Sequence, residues 1–111
     1  MPNTTKRGVS DVGFDADPNS GAIVTVNGAS AQIGGTSLSA PLFTGAWARI
    51  ESSHGNALGF AAPLIYAAYG RSHTPFHDVT SGSNGSYVGK AGWDYPTGFG
   101  SFDIQLLNGA L

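Results

Sequence analysis

The chain contains no cysteine, a single glutamate and few charges of either sign, with five Lys and Arg against seven Asp and Glu in 111 residues. Without cysteine there are no disulfides and no thiolate metal sites, and the compartment stays open, because secreted proteins without disulfides are common. The basic residues are scattered and the net charge is −2, so no basic stripe offers itself to nucleic acid. No apolar run approaches the roughly 20 residues that cross a bilayer. Lys6-Arg7 is not followed by the apolar core of a signal peptide. Neither nucleic acid nor membrane is therefore an expected partner.

Scarce charge does not mean disorder here, because 41% of the residues are hydrophobic. Charged residues make up 11% of the chain, against about 25% in an average soluble protein. The surface must instead be Ser, Thr, Asn and Gly, a composition that suits acid, where protonating carboxylates otherwise costs stability. The length is about that of one small domain.

Gly is abundant, at 17 residues, and it punctuates the chain. "DVGFDADPNSG" (Asp11 to Gly21) ends in a turn signal, and "AIVTVN" (Ala22 to Asn27) is β-branched and closed by Asn27-Gly28. Ala31 to Ile33 is the expected partner strand of a hairpin. Leu42, Phe43, Ala46, Trp47 and Ile50 then recur at helical spacing, with a start near Ser39, Pro41 in the first turn and Gly55 as the stop. A second helix is expected from Ala61 to Tyr69, closed by Gly70, and a short last helix from Asp103 to Leu111 with Asp103 as its N-cap. Phe43, Trp47, Tyr66 and Tyr69 read as core aromatics. Between Arg71 and Gly100 no regular element is visible, and about 30 residues of loop in a compact domain call for a ligand or a function.

Two places carry possible chemistry. The first is "IGGTSLSAP" (Ile33 to Pro41), where Ser37 follows a glycine pair at the start of a helix. Helix N-terminal N–H groups favour developing negative charge, so the setting suits a nucleophile. Taken locally, however, the favoured reading of Ser37 or Ser39 is a helix cap. An α/β-hydrolase elbow needs Gly two residues after the serine, and Ser39 stands there. A subtilisin-type order of Asp, His, Ser fails because His54, His73 and His77 all follow Ser37. A carboxylate base is what remains. Glu51 lies more than three helical turns from Ser37, some 18 Å along the expected helix.

The second place is the pair Asp78 and Asp94, which bracket the glycine-rich stretch. Calcium takes carboxylate and carbonyl oxygens together, and irregular loops can turn carbonyls inward. On composition alone the favoured reading is that Asp78 caps a turn and Asp94 is solvated. His77 beside Asp78 reads as a packing or outer-shell residue, since neighbours on an extended strand point to opposite faces.

"SDVGFDADPNSG", "GGTSLSAP" and "FHDVTSGSNG…GWDYPTGFGS" together resemble the sedolisin family of serine-carboxyl peptidases. The pseudomonalisin-type bacterial members are the nearest match in pattern. The resemblance covers nearly the whole chain, with three separated motifs in family order. It implies an α/β fold, as the C-terminal portion of a subtilisin-like parallel-sheet domain with a loop-rich calcium-binding segment. Residues 30–55 would be the nucleophile segment and 76–100 the calcium segment. It further implies a secreted endopeptidase that cleaves protein or peptide substrates at acidic pH.

By the resemblance Ser37 is the nucleophile. Its base would be a glutamate backed by an aspartate one helical turn later, with another aspartate at the oxyanion. All three precede this segment in the family, so the missing N-terminal half of the domain is an expected partner and the chain alone is expected to be inactive. Arg7, Ser10 and Asp11 match the family's "R-x-x-P-D-V", with Ser10 in place of the usual proline. One structural Ca²⁺ is implied, held by the carboxylates of Asp78 and Asp94 and the carbonyls of Val79, Lys90 and Gly92. Lys90 departs from the usual small residue, which a carbonyl ligand tolerates. The alternative is a non-catalytic, calcium-stabilised module that keeps the scaffold as a remnant.

Overall fold

The structure, a computed structural model, describes residues 5–111, so the first four residues of the polar opening stretch lie outside the described residues. The described chain divides into two compact units, residues 14–49 and residues 5–13 with 50–111. No helix among the described residues is long and apolar enough to cross a membrane.

In the first unit β1 (Ala22–Val26) pairs antiparallel with β2 (Ala29–Ile33), from Ala22 opposite Ile33 to Val26 opposite Ala29. The turn is the expected Asn27-Gly28, at φ 52° and 78°. Positive φ at both central residues is what a type I′ turn requires. The preceding "DADPNSG" closes on itself: Asp17 carbonyl accepts the N–H groups of Ser20 and Gly21. Gly21 has no room for a side chain, since a Cβ would lie 1.8 Å from the Ile33 carbonyl oxygen.

Helix α1 runs from Thr36 to Ser53, a turn earlier than the position of Pro41 implies. Gly35, at φ 85°, turns the chain, and its carbonyl accepts the N–H groups of Leu38 and Ser39. Pro41 therefore sits inside the helix. Having no N–H, it leaves the Ser37 carbonyl outside the helical ladder. Leu38, Ala46 and Ile50 are buried, Phe43 and Trp47 stack with ring centroids 6.4 Å apart, and Leu42 is 42% exposed.

The second unit holds α2 (Ala61–Arg71), β3 (Phe76–His77), β4 (Ser101–Phe102) and α3 (Ile104–Ala110). Gly70 lies within α2 rather than beyond it. The roughly 1 kcal/mol that Gly costs in a helix is opposed by Arg71, whose guanidinium donates to the Ala110 carbonyl at 2.6 Å. The Asp103 side chain accepts the Leu106 N–H, so α3 has the expected cap. β3 and β4 pair antiparallel, Phe76 opposite Phe102. Ile65, Ala68, Phe76, Phe99, Phe102 and Leu107 are buried, and Tyr69 stacks on Phe99 at 4.0 Å.

The strand pairs among the described residues are both antiparallel, so the implied parallel sheet has no pairing here. A two-residue hairpin such as β1–β2 can only be antiparallel, because parallel neighbours need a long crossover.

Leu107 and Leu106 are neighbours on α3, one fully buried and one 48% exposed. Leu107→Ala is expected to lower unfolding free energy by about 2–5 kcal/mol, and Leu106→Ala to change it little. Urea denaturation of the two variants checks this; equal losses would contradict the packing.

Candidate functional site

Ser37 is exposed, the second residue of α1. Two glycines put it there. A Cβ at Gly34 would come within 2.4–2.5 Å of the Pro18 backbone, and Gly35 takes the left-handed conformation while donating its N–H to Ala16 carbonyl at 2.6 Å. Among the described residues the Ser37 hydroxyl makes no hydrogen bond. It is not a helix cap. Nor is Ser39, whose hydroxyl donates to the Phe14 carbonyl at 3.0 Å and accepts the Phe14 N–H at 3.2 Å.

The acids of this unit are committed elsewhere. Asp15 accepts the Asp17 N–H and the Ser20 hydroxyl, and Asp17 accepts the N–H and side-chain amide of Asn19. In the second unit Glu51 accepts the N–H groups of Leu58 and Gly59, one on each carboxylate oxygen. Two of the histidines have local partners: His54 Nε2 lies 3.3 Å from the Asn108 carbonyl oxygen, and His73 stacks on Tyr69. His77 is exposed rather than packed, opposite Ser101 in the β3–β4 pair.

The 78–100 loop is held by backbone bonds and by the two aspartates. Asp78 Oδ2 accepts the Gly92 N–H at 2.7 Å. Asp94 is 1% exposed. Its Oδ2 accepts the Lys90 N–H at 3.0 Å, and its Oδ1 accepts the Thr97 N–H at 2.8 Å and the Thr97 hydroxyl at 3.0 Å. These donors are neutral, so the buried charge is hydrogen-bonded without a countercharge from them. Gly89 must be glycine because a Cβ would meet the Ser81 and Val79 carbonyl oxygens at 2.7 and 3.0 Å.

A cation suits this donor set. Hydrogen bonds alone leave a buried carboxylate costly, and an opposite charge compensates it. No group of three or more His, Cys, Asp or Glu side chains that could hold a metal exists among the described residues. Any ion here would thus draw on backbone carbonyls, the hard oxygen chemistry of calcium.

Residues 7–13 hold this loop from one side. Trp93 Nε1–H donates to the Ser10 carbonyl at 2.9 Å, the Ser10 hydroxyl donates to the Tyr95 carbonyl at 2.9 Å, and the Phe99 N–H to the Asp11 carbonyl at 3.0 Å. The Asp11 carboxylate takes both a two-point ion pair from Arg7 and the Tyr66 hydroxyl at 2.9 Å. Sequence reasoning singled out Asp11 by its motif, but neither its bond to Tyr66 nor the part of Thr97 was legible. The D-x-x-T spacing of Asp94 and Thr97 was the available signal, as side chains three apart in a turn often bond locally. A cavity of about 430 Å³, lined by Tyr66, Tyr69, Trp93 and Phe99 with Lys90 and Gly92, opens beside the loop. Burial, and then the negative charge of Asp78, push the Tyr69 phenol above its ordinary range.

No protein-family model matches the chain. It is 52% identical to xanthomonalisin from Xanthomonas sp. (strain T-22) over 97% of its own length and 14% of that protein's. It is 46% identical to sedolisin from Pseudomonas sp. (strain 101), over 93% of the chain and 18% of that protein. A structure of Pseudomonas sedolisin, a serine-carboxyl proteinase complexed with two molecules of pseudo-iodotyrostatin, superimposes with a TM-score of 0.86 at 46% identity. That match covers 91% of this chain and 28% of the solved one. The chain thus spans less than a fifth of the length of these two curated relatives.

Burial, then the hydrogen bond to Asp11 and its charge, raise the Tyr66 phenol above its ordinary pKa. The neutral phenol is the favoured folded form. Its stabilisation is therefore complete below the unfolded value of about 10 and is lost as pH rises through the higher folded value. Asp11→Asn is expected to lower the Tyr66 pKa and soften that alkaline loss. Titration of absorbance at 295 nm, with Tyr66→Phe to assign the signal, checks it; an unmoved Tyr66 curve would contradict the network.

Proposed function

The chain belongs to the sedolisin family, as a segment matching part of its longer members, and on that premise we propose that it is the C-terminal part of a serine-carboxyl peptidase catalytic domain. The observation that carries this is Ser37: exposed, unbonded and second in α1 behind Gly34-Gly35, in a chain 46% identical to a serine-carboxyl proteinase.

Ser37 Oγ attacks the scissile carbonyl carbon of a peptide, and its proton passes to a carboxylate. The N-terminus of α1 favours the negative charge that develops. No carboxylate on 14–49 is unoccupied, since Asp15 and Asp17 are bonded within their own turn. By the family resemblance the base and the oxyanion aspartate would come from sequence preceding this segment, within the parallel sheet of a subtilisin-like domain. Exposed Ile23, Val26 and Leu42 support the covering of this unit by further chain. The 111 residues alone hydrolyse little, and secretion and acid activity go with the same reading.

Calcium is the second part of the proposal. Asp78 and Asp94 contribute carboxylate oxygens, and Val79, Lys90 and Gly92 contribute carbonyls. The ion supplies the countercharge that the neutral donors of Asp94 do not. Gly89 allows the Val79 carbonyl to approach, and Gly92, at φ 79°, aims a backbone N–H at Asp78.

Two measurements test these assignments. In a peptidase chain that includes the preceding half, Ser37→Ala is expected to reduce acid proteolysis by about 10⁶-fold, the scale on which a nucleophilic serine is lost. Intact proteolysis would sink the nucleophile. Calcium is expected to raise the melting temperature of the 111-residue chain, by the equivalent of about 2.7 kcal/mol at a hundred times its Kd. Asp94→Asn should abolish the rise, and an unchanged response would remove Asp94 from the site.

A further inference from the structure

Asp94 sits at the head of a tight loop. Its N–H donates to the Gly98 carbonyl at 3.0 Å and its carbonyl accepts the Gly98 N–H at 2.9 Å, so residues 94–98 close on themselves. Gly98 is at φ 64°, and a Cβ there would lie 2.2 Å from the Asp11 carbonyl oxygen. The next residue, Phe99, donates to that same carbonyl. Thr97 is therefore held in a frame whose backbone cannot shift without breaking contacts to Asp11. From that frame it gives Asp94 Oδ1 two hydrogen bonds, one from the main chain and one from the side chain.

A carboxylate has about four lone-pair sites. Thr97 takes two on Oδ1, and the Lys90 N–H takes one on Oδ2. One site, on Oδ2, is left. We infer that Thr97 is the positioning residue of the calcium site, turning Asp94 into a one-point ligand that meets the ion through Oδ2. The inference rests on the calcium reading above. Its physical content is orientation: without the Thr97 hydroxyl, Oδ1 regains a free lone pair and the buried carboxylate can rotate. Partners of this kind, which bond a ligand but not the metal, are worth about 10–100-fold in metal affinity.

Isothermal titration of the 111-residue chain with calcium chloride, alongside melting curves with and without calcium, decides it. Thr97→Val keeps the shape and the N–H but removes the hydroxyl donor, and is expected to weaken calcium binding about 10–100-fold. Thr97→Ser restores the donor and should restore the affinity. A threonine that merely packed would lower the melting temperature of the calcium-free and calcium-loaded chains alike. A positioning threonine shrinks the increment that calcium adds. If Thr97→Val does not fold, Thr97→Ala carries the same comparison. Should the chain with hydroxyl at 97 bind calcium no more tightly than the chain without it, the positioning role is overturned. Should the unsubstituted chain show neither heat nor a melting increment, the calcium reading itself fails and the role falls with it.

Discussion

Asp94 is a carboxylate at 1% exposure whose oxygens are reached by two main-chain N–H groups and one hydroxyl. Burying that charge is the constraint around which the glycine-rich loop is built. The main chain must come close enough to donate, so the loop passes through positions where a side chain would not fit. Gly98 against the Asp11 carbonyl, Gly89 against those of Val79 and Ser81, and Gly100 against that of His77 are three such places. The aromatic rings of Trp93 and Phe99 then close over the same stretch, and Tyr66 and Tyr69 pack onto Phe99 from α2. An apparently unstructured segment is thus among the more constrained parts of its unit.

The serine presents the opposite situation. Nothing among the described residues bonds its hydroxyl, while Ser39, two residues on, is bonded twice to Phe14. Local chemistry could not separate the two serines, because both stand where a cap is plausible. The separation comes from where α1 begins. Gly35 starts the helix at Thr36, so Ser37 is already helical when a cap would have to lie outside. What results is an exposed serine, the proposed nucleophile, whose own unit uses its two carboxylates for a turn.

Much of the local structure could be read from residues. Asn27-Gly28 forms the turn between β1 and β2, and Asp103 caps α3, since each depends on a dipeptide or a side chain bonding within three residues. The reading failed where distant contacts decide. Pro41 suggests a later start for α1, but the left-handed Gly35 starts it a turn earlier. Gly70 suggests a stop for α2, but Arg71 and the Ala110 carbonyl carry the helix past it. Leu42 keeps the helical rhythm of the buried residues and is nonetheless exposed.

The sequence by itself singled out the residues proposed to carry the chemistry: a serine behind two glycines, and a pair of aspartates around a glycine-rich run. It could do so because a nucleophile or a hard-metal site asks for particular side chains at particular spacings. Only the tertiary structure decided how those groups are held. Trp93 reaches Ser10, Phe99 reaches Asp11, and Tyr66 reaches Asp11 across 55 or more positions of sequence. Burial and hydrogen-bond geometry depend on which distant backbone comes within 3 Å, and no local pattern of residues specifies that.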